Sequence, residues 1–216
     1  IPTFLQITEA RPHDVNVLDS LILEPGAYYV MDRGYMDFRR LYRIARSGAF
    51  FVTRLKRNVK LRRRYSHAKD PSLGILSDQT VVAAEEKSYN HYPAPLRRVR
   101  FRDAEQGRSF AFLTNNFDLS ARTVADLFKS RWQIELFFKW IKQHLQIKSF
   151  FGHTMNAVKT QIWIAVSTYV LVAIIQKKLG LDHLSLYNIL QVLSVSLFYY
   201  VDLSQLFREA DFEPGD

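Results

Sequence analysis

The sequence predicts an α/β fold in which two stretches of alternating strand and helix are separated by a β-rich middle. Three observations carry this. Apolar runs of strand length occupy residues 27–31 and 49–55, with a helix-like pattern between them. Residues 56–115 then change character: Pro71, Gly74, Pro93, Pro95 and Gly107 separate short apolar segments at 79–84, 97–102 and 109–114, the pattern of a small antiparallel sheet inserted into the main fold. From Ser120 onward helical periodicity dominates. The expected boundaries are a core at about 1–56 and 116–180, a β-rich insertion at about 57–115, and a C-terminal helical region at about 181–216.

Taken in order, residues 4–8 read as a strand. Asp14 is placed to cap a helix carrying Val15, Val17, Leu18, Leu21 and Ile22, which Pro25-Gly26 would end. Residues 27–31 have the composition of a strand buried on both faces, broken by Asp32-Arg33-Gly34-Tyr35. Asp37 is a suitable N-cap for a helix over 38–46, and Ser47-Gly48 would end it before the next strand. After Asn115-Asn116, Ser120 would cap a helical pattern that runs to about Leu145. A second long helix is expected from about Asn156 to Leu179, stopped by Gly180, and the rest to Phe207 looks helical before an acidic tail. The longest apolar stretch, 162–175, contains Ser167 and Thr168 and is shorter than the ~18–20 residues of a membrane span, so it reads as a buried helix.

The chain has 216 residues, 48% of them hydrophobic, which is enough for a sizeable core; 14% are aromatic, so some rings are available for more than packing. The net charge of +9 favours a polyanionic partner, nucleic acid before an anionic membrane. The charge is uneven: seven basic residues fall between Arg54 and Arg64, and a second cluster comprises Arg97, Arg98, Arg100 and Arg102. A solvated basic surface accounts for either run alone; two together tilt towards a DNA-facing surface. The Arg-rich run lacks an amphipathic helix pattern, which argues against a membrane partner. There is no cysteine, so disulfides and thiolate metal sites are excluded, and no signal peptide is visible. The sequence contains no Walker-type glycine loop and no H-E-x-x-H, and its six histidines are scattered.

The informative segment is Phe128-Lys-Ser-Arg131-Trp132-Gln-Ile-Glu135-Leu-Phe-Phe-Lys139-Trp-Ile-Lys142. At ~100° per residue, Phe128, Arg131, Glu135 and Lys142 fall within an arc of about 60° on one helix. Leu127, Ile134, Phe138, Ile141 and Leu145 make a neighbouring apolar stripe, and Trp132, Phe137 and Trp140 fill the other sides. A helix so apolar around its circumference is expected deep in the domain, where a carboxylate is costly unless it is paired or binds metal. The plainer reading is that Arg131–Glu135 and Glu135–Lys139 are ordinary i,i+4 ion pairs. Asp32 is the second candidate acid, at the carboxyl end of a strand, where α/β folds tend to place functional groups. Its plainer role is a turn residue bonded to backbone near Gly34.

The segment 128–142 resembles the Y-x2-R-x3-E-x6-K signature of insertion sequence 4-like DDE transposases, with Phe128 in the tyrosine position. Ile147-Lys148, Phe150 and Gly152 resemble the exit from that family's glutamate helix, and 156–165 its following helix. Asp32-Arg33-Gly34-Tyr35 with Asp37 resembles the motif around the second catalytic aspartate, and 10–14 the turn before it. The resemblance implies a ribonuclease H-like mixed sheet flanked by helices, with a β-rich insertion before the glutamate helix. It implies that Asp32 and Glu135 are catalytic and metal-binding, sharing two Mg²⁺ ions (Mn²⁺ as substitute) with a third acid. It also implies DNA contacts from Phe128, Arg131, Trp132, Lys139 and Lys142, with the tyrosine hydroxyl missing at Phe128.

The implied activity is metal-dependent DNA cleavage and strand transfer, with transposon-end inverted repeats and target DNA as partners. It further implies a homodimer on paired ends, no membrane, and a cytoplasmic, nucleoid-associated location. The family's first aspartate has no match in residues 1–31, so these 216 residues alone are expected to be inactive or nearly so. The rival reading is a non-catalytic DNA-binding protein derived from a transposase.

Overall fold

The computed structural model describes residues 14–104, 107–145, 154–196, 202 and 205–207. The expected strand at 4–8, the turn at 10–13, the helix exit at 147–152 and the acidic tail lie outside them. The chain divides into two compact units, Thr8–Glu135 and Leu136–Asp216 with Ile1–Ile7.

Among the described residues of the first unit, six strands form one mixed sheet: β1 (Tyr28–Met31), β2 (Phe50–Arg54), β3 (Leu61–Ser66), β4 (Ile75–Ala83), β5 (Leu96–Asp103) and β6 (Arg108–Thr114). Their spatial order is β1-β2-β6-β5-β4-β3. Only β1 and β2 run parallel; the other neighbours are antiparallel. The middle strands therefore do not form a sheet of their own: β6 pairs with β2 and makes them one surface with β1 and β2. That long-range pairing leaves no local trace in the sequence. Asn115 carries the seam one residue further, accepting from the Phe51 N–H and donating to the Ala49 carbonyl, both at 2.9 Å.

Both faces of the sheet are buried in part, and period-two alternation decides which side chain serves which. On one face Phe51, Val81, Leu96 and Leu113 pack with α1 (Val17–Ser20) and α2 (Phe38–Arg46), whose Leu18, Leu41 and Ile44 are buried against them. On the other, Val52, Val99 and Phe112 pack against Val124 and Ala125 of α4 (Ala121–Ser130). α3 (Glu86–His91) precedes Tyr92, whose buried ring meets Tyr42 and Phe51 edge-on.

The local stop and start signals operate as the sequence indicates. Asp37 accepts from the Arg40 N–H at 3.0 Å and Ser120 from the Thr123 N–H at 3.0 Å. Gly48 and Gly180 take positive φ beyond their helices. Because Ser120 is the cap of α4, Ser120→Ala is expected to cost about 1 kcal/mol. Chemical denaturation checks this: a shifted midpoint with an unchanged slope is the expected result.

Several expectations are corrected. The helix expected from Asp14 to Ile22 is a 3₁₀ turn at Asp14–Asn16 followed by one turn of α-helix, ending where Leu21 becomes extended. β1 is half exposed rather than buried on both faces, because it ends the sheet among the described residues. β3 and α3 were not expected. β3 is an exposed edge strand of sequence Leu-Arg-Arg-Arg-Tyr-Ser with no apolar alternation to betray it, and its arginines are the kind of charge that discourages edge-to-edge pairing. The second basic cluster is not uniformly a surface, since Arg97 is buried. It donates to both Asp78 oxygens, at 2.9 and 2.7 Å, and to the Leu119 carbonyl at 2.6 Å.

In the second unit, α6 (Met155–Leu179) and α7 (Leu186–Ser196) supply most of the packing. α5 (Trp132–His144) begins in the first unit, and its Phe137, Trp140 and Ile141 meet Ala165, Val166 and Tyr169 of α6. α6 meets Leu181 and Ile189 through Val172. Neither α5 nor α6 is deeply buried as expected. Their described neighbours cover one side only, and Ile164 of α6 is 61% exposed. By length and composition α6 is long and apolar enough to cross a membrane, a property shared with core helices.

Candidate active site

The carboxyl ends of the two parallel strands define the site. The register Met31↔Thr53 puts the next residues, Asp32 and Arg54, side by side where β1 and β2 finish. Asp32 is extended and caps a 3₁₀ turn at Arg33–Tyr35, its Oδ1 accepting from the Arg33 N–H at 2.7 Å. The plain turn role is thus real, and it occupies only one carboxylate oxygen with a short local bond, which fixes the group at the strand end.

Glu135 reaches the same place from the far side of the chain. The helical pattern from Ser120 is not continuous: α4 ends at Ser130 and α5 starts at Trp132, with Arg131 between them. The Arg131 N–H bonds the Phe128 carbonyl and the Ile134 N–H the Arg131 carbonyl, both three residues apart, so the chain tightens there. The expected single stripe is therefore broken after Phe128, and Glu135 lies in the first turn of α5. The apolar periodicity runs through the break, which is why the sequence did not show it.

Arg131 survives the break as a partner of Glu135, its Nη2 2.7 Å from Oε1. Its guanidinium also lies 5.6 Å from the Phe128 ring centroid, and its Nε is buried with no hydrogen-bond partner among the described residues. A buried donor left unpaired is costly unless something fills its place.

Asp32, Phe128, Arg131, Trp132 and Glu135 line one open cavity of about 800 Å³. Trp132 is 55% exposed, whereas Phe128 is partly buried against Phe112, with centroids 4.8 Å apart. Lys139 and Lys142 are exposed on α5 and belong to the other unit. The cavity also contains Arg54, the first residue of the basic run that the sequence flagged, and residues that sequence reasoning missed: Asp103, Arg108, Arg122, Asp126 and Lys129, with Phe101 and Phe110. Arg54 lies over the Phe110 ring at 5.1 Å and Arg122 over Phe101 at 5.4 Å, so arginine-on-phenylalanine contacts recur around the opening. Strand parity was the available signal: Phe101 and Asp103 on β5 alternate together, as do Arg108, Phe110 and Phe112 on β6.

Four carboxylates line the cavity, Asp32, Asp103, Asp126 and Glu135, with Asp126 paired to Arg122, and carboxylates are the hard oxygen donors that Mg²⁺ prefers. No cluster of three or more metal-ligating side chains occurs among the described residues. The donor chemistry of Asp32 and Glu135 suits a divalent ion, and the described residues do not supply a complete ligand set.

A mixed sheet with helices on both faces is consistent with the ribonuclease H-like class of α/β domain. The comparison with known proteins specifies it: residues 1–171 match the model described as the transposase DDE domain, and the chain belongs to that family. It is 40% identical over 177 residues to a Sinorhizobium fredii (strain NBRC 101917 / NGR234) protein named as a transposase, y4zB, covering 80% of this chain and 49% of the relative. It is 37% identical over 144 residues to a Geobacillus stearothermophilus protein named as a transposase for insertion sequence element IS5377, covering 66% of this chain and 37% of the relative. A Synechocystis (strain ATCC 27184 / PCC 6803 / Kazusa) protein, named as a transposase for insertion sequence element IS4SA, is 26% identical over 206 residues, covering 93% of this chain and 58% of that relative. The chain thus spans about half the length of the curated relatives it matches.

Proposed function

We propose that this chain is the catalytic part of an insertion-sequence transposase of the insertion sequence 4-like kind, in which Asp32 and Glu135 are two of the acids that cut and rejoin DNA phosphodiesters. One observation carries the reading: Asp32 and Glu135, 103 positions apart in the numbering, line a single cavity together with Arg131, which pairs with Glu135. Asp32 and Glu135 would help hold a divalent ion, Mg²⁺ or Mn²⁺ and two ions in a complete set, which when bound would supply positive charge to the attacking and leaving oxygens of an in-line displacement.

The protein's own residues account for the rest. Arg131 holds Glu135 through Nη2 and brings its positive charge to the cavity wall, where a phosphate would be met. Arg54 and Arg108 add positive charge at the opening, and the exposed Trp132 ring offers a face to a base near the scissile bond. Phe128 has no hydroxyl, so it contributes packing and a ring face under Arg131. Lys139 and Lys142, both exposed on α5, are two further cations available to DNA phosphates. The partners on this reading are the element's terminal inverted repeats and target DNA, handled by two copies of the protein on paired ends in the bacterial nucleoid.

The full-length protein tests this on duplex DNA bearing the element's own ends. Strand cleavage is expected with Mg²⁺ or Mn²⁺ and none with EDTA, while binding persists in both. Salt-sensitive binding without cleavage in any divalent ion would instead establish the rival, a DNA-binding protein derived from a transposase.

A further inference from the structure

The sheet has a second basic surface, on the face opposite α4. Alternation along β5 sends Arg97, Val99 and Phe101 towards the α4 side and Leu96, Arg98, Arg100 and Arg102 to the other. Leu96 is buried in the core against α2, but the strand continues beyond that cover, and Arg100 and Arg102 are exposed. Arg63 of β3 joins the same face: it stands opposite Val81, whose side chain shares the Leu96 core. Arg98, half-buried between them, donates to Gln79 Oε1, with Nε at 3.1 Å.

Among the described residues, no acidic side chain is paired with this row of Arg63, Arg98, Arg100 and Arg102. Burial, then the neighbouring charges of Arg100 and Arg63, hold the Arg98 guanidinium below its ordinary range, as expected of cations packed without a counter-charge. The residues opposite are short: Ser77 and Ala111 flank Arg100, and Ser109 flanks Arg102. The arginines therefore stand above a low, flat surface. Residues two apart on a strand are about 6.7 Å apart, which suits successive phosphates. The aromatic side chains of this sheet region, Tyr65, Phe101, Phe110 and Phe112, have the opposite parity, so this face offers charge without stacking surfaces.

We propose that Arg63, Arg98, Arg100 and Arg102 form a phosphate-gripping surface for duplex DNA, separate from the cavity that holds Asp32 and Glu135. The surface reads no sequence. It holds a length of duplex outside the cleavage site, and so adds affinity and salt dependence rather than catalytic rate. The proposal rests on the DNA-cleaving reading for its partner, but not on the identity of the catalytic acids.

The experiment compares the full-length protein with the triple variant R63Q/R100Q/R102Q and the charge-preserving R63K/R100K/R102K on a long duplex carrying the element's end. The glutamine variant is expected to reduce the slope of log affinity against log salt by about 3, close to one unit per lost phosphate contact. Its single-turnover cleavage at saturating DNA stays within about 2-fold of the parent's, and the lysine variant keeps the parent slope. An unchanged slope in the glutamine variant overturns the proposal, including the case where the arginines only keep the edge soluble or meet an acidic protein. A lysine variant as impaired as the glutamine one also overturns it, since the loss is then structural. Failure of the parent to bind DNA at all would sink the proposed function itself, and E135Q, which retains binding but not cleavage, separates the two surfaces.

Discussion

Glu135→Gln in the full-length protein is expected to lower strand cleavage by at least about 100-fold while leaving DNA affinity within about 3-fold. The first magnitude is that of removing one stabilising group from a reacting centre. The second follows from where the side chain sits. Its pair with Arg131 is partly exposed, 43% on the glutamate side, and exposed ion pairs contribute only ~0–1 kcal/mol. The amide can still accept from Arg131, so the fold around the α4–α5 junction should hold. Circular dichroism and thermal melting check the fold, and cleavage under single-turnover conditions checks the chemistry. Activity within 10-fold of the parent would remove Glu135 from the catalytic set, leaving its ion pair as its whole role.

Asp78→Ala carries the largest expected loss of stability. Asp78 and Arg97 are 4% and 7% exposed, and the pair is bidentate. Breaking such a pair from one side leaves a buried guanidinium with only the Leu119 and Phe117 carbonyls, a change of about 3–5 kcal/mol. For a protein of this size that is roughly 10 °C in Tm. Replacing both partners with apolar residues of similar volume, D78L/R97M, is expected to recover most of it, because the uncompensated charge goes with its partner. The pair also binds the loop before α4, so Asp78→Ala should reduce cleavage through α4, which lines the cavity with Ala125, Phe128 and Lys129. A single variant within 1 kcal/mol of the parent in denaturant titration would show that water reaches the guanidinium.

Local chemistry was legible in the sequence; long-range pairing was not. Asp37, Ser120 and Gly180 announce their helix ends because a cap needs only its own few residues. Asp32 and Glu135 were legible as candidates through a strand end and a spaced signature, and the cavity they share is consistent with that. The break at Arg131 was hidden because apolar periodicity continues across it. β3 was hidden because an exposed edge strand need not alternate. Arg97 is the instructive case: reading β5 as a strand with Val99 inward already places Arg97 inward and Arg98 outward, so treating the four arginines as one cluster ignored the strand's own parity.

Parity also sets what kinds of mutation this domain tolerates. Along β5, consecutive residues belong alternately to the cavity side and to the opposite basic face, and one of them completes the buried pair with Asp78. Deleting a single codon within β5 would exchange the two sets downstream, aiming guanidiniums at the phenylalanines and phenylalanines at solvent. A length change in the connection between β3 and β4, residues 67–74, leaves the parity of both strands unchanged. Among diverged copies of such an element, length differences should therefore collect in turns like this one, while the strands change by substitution alone.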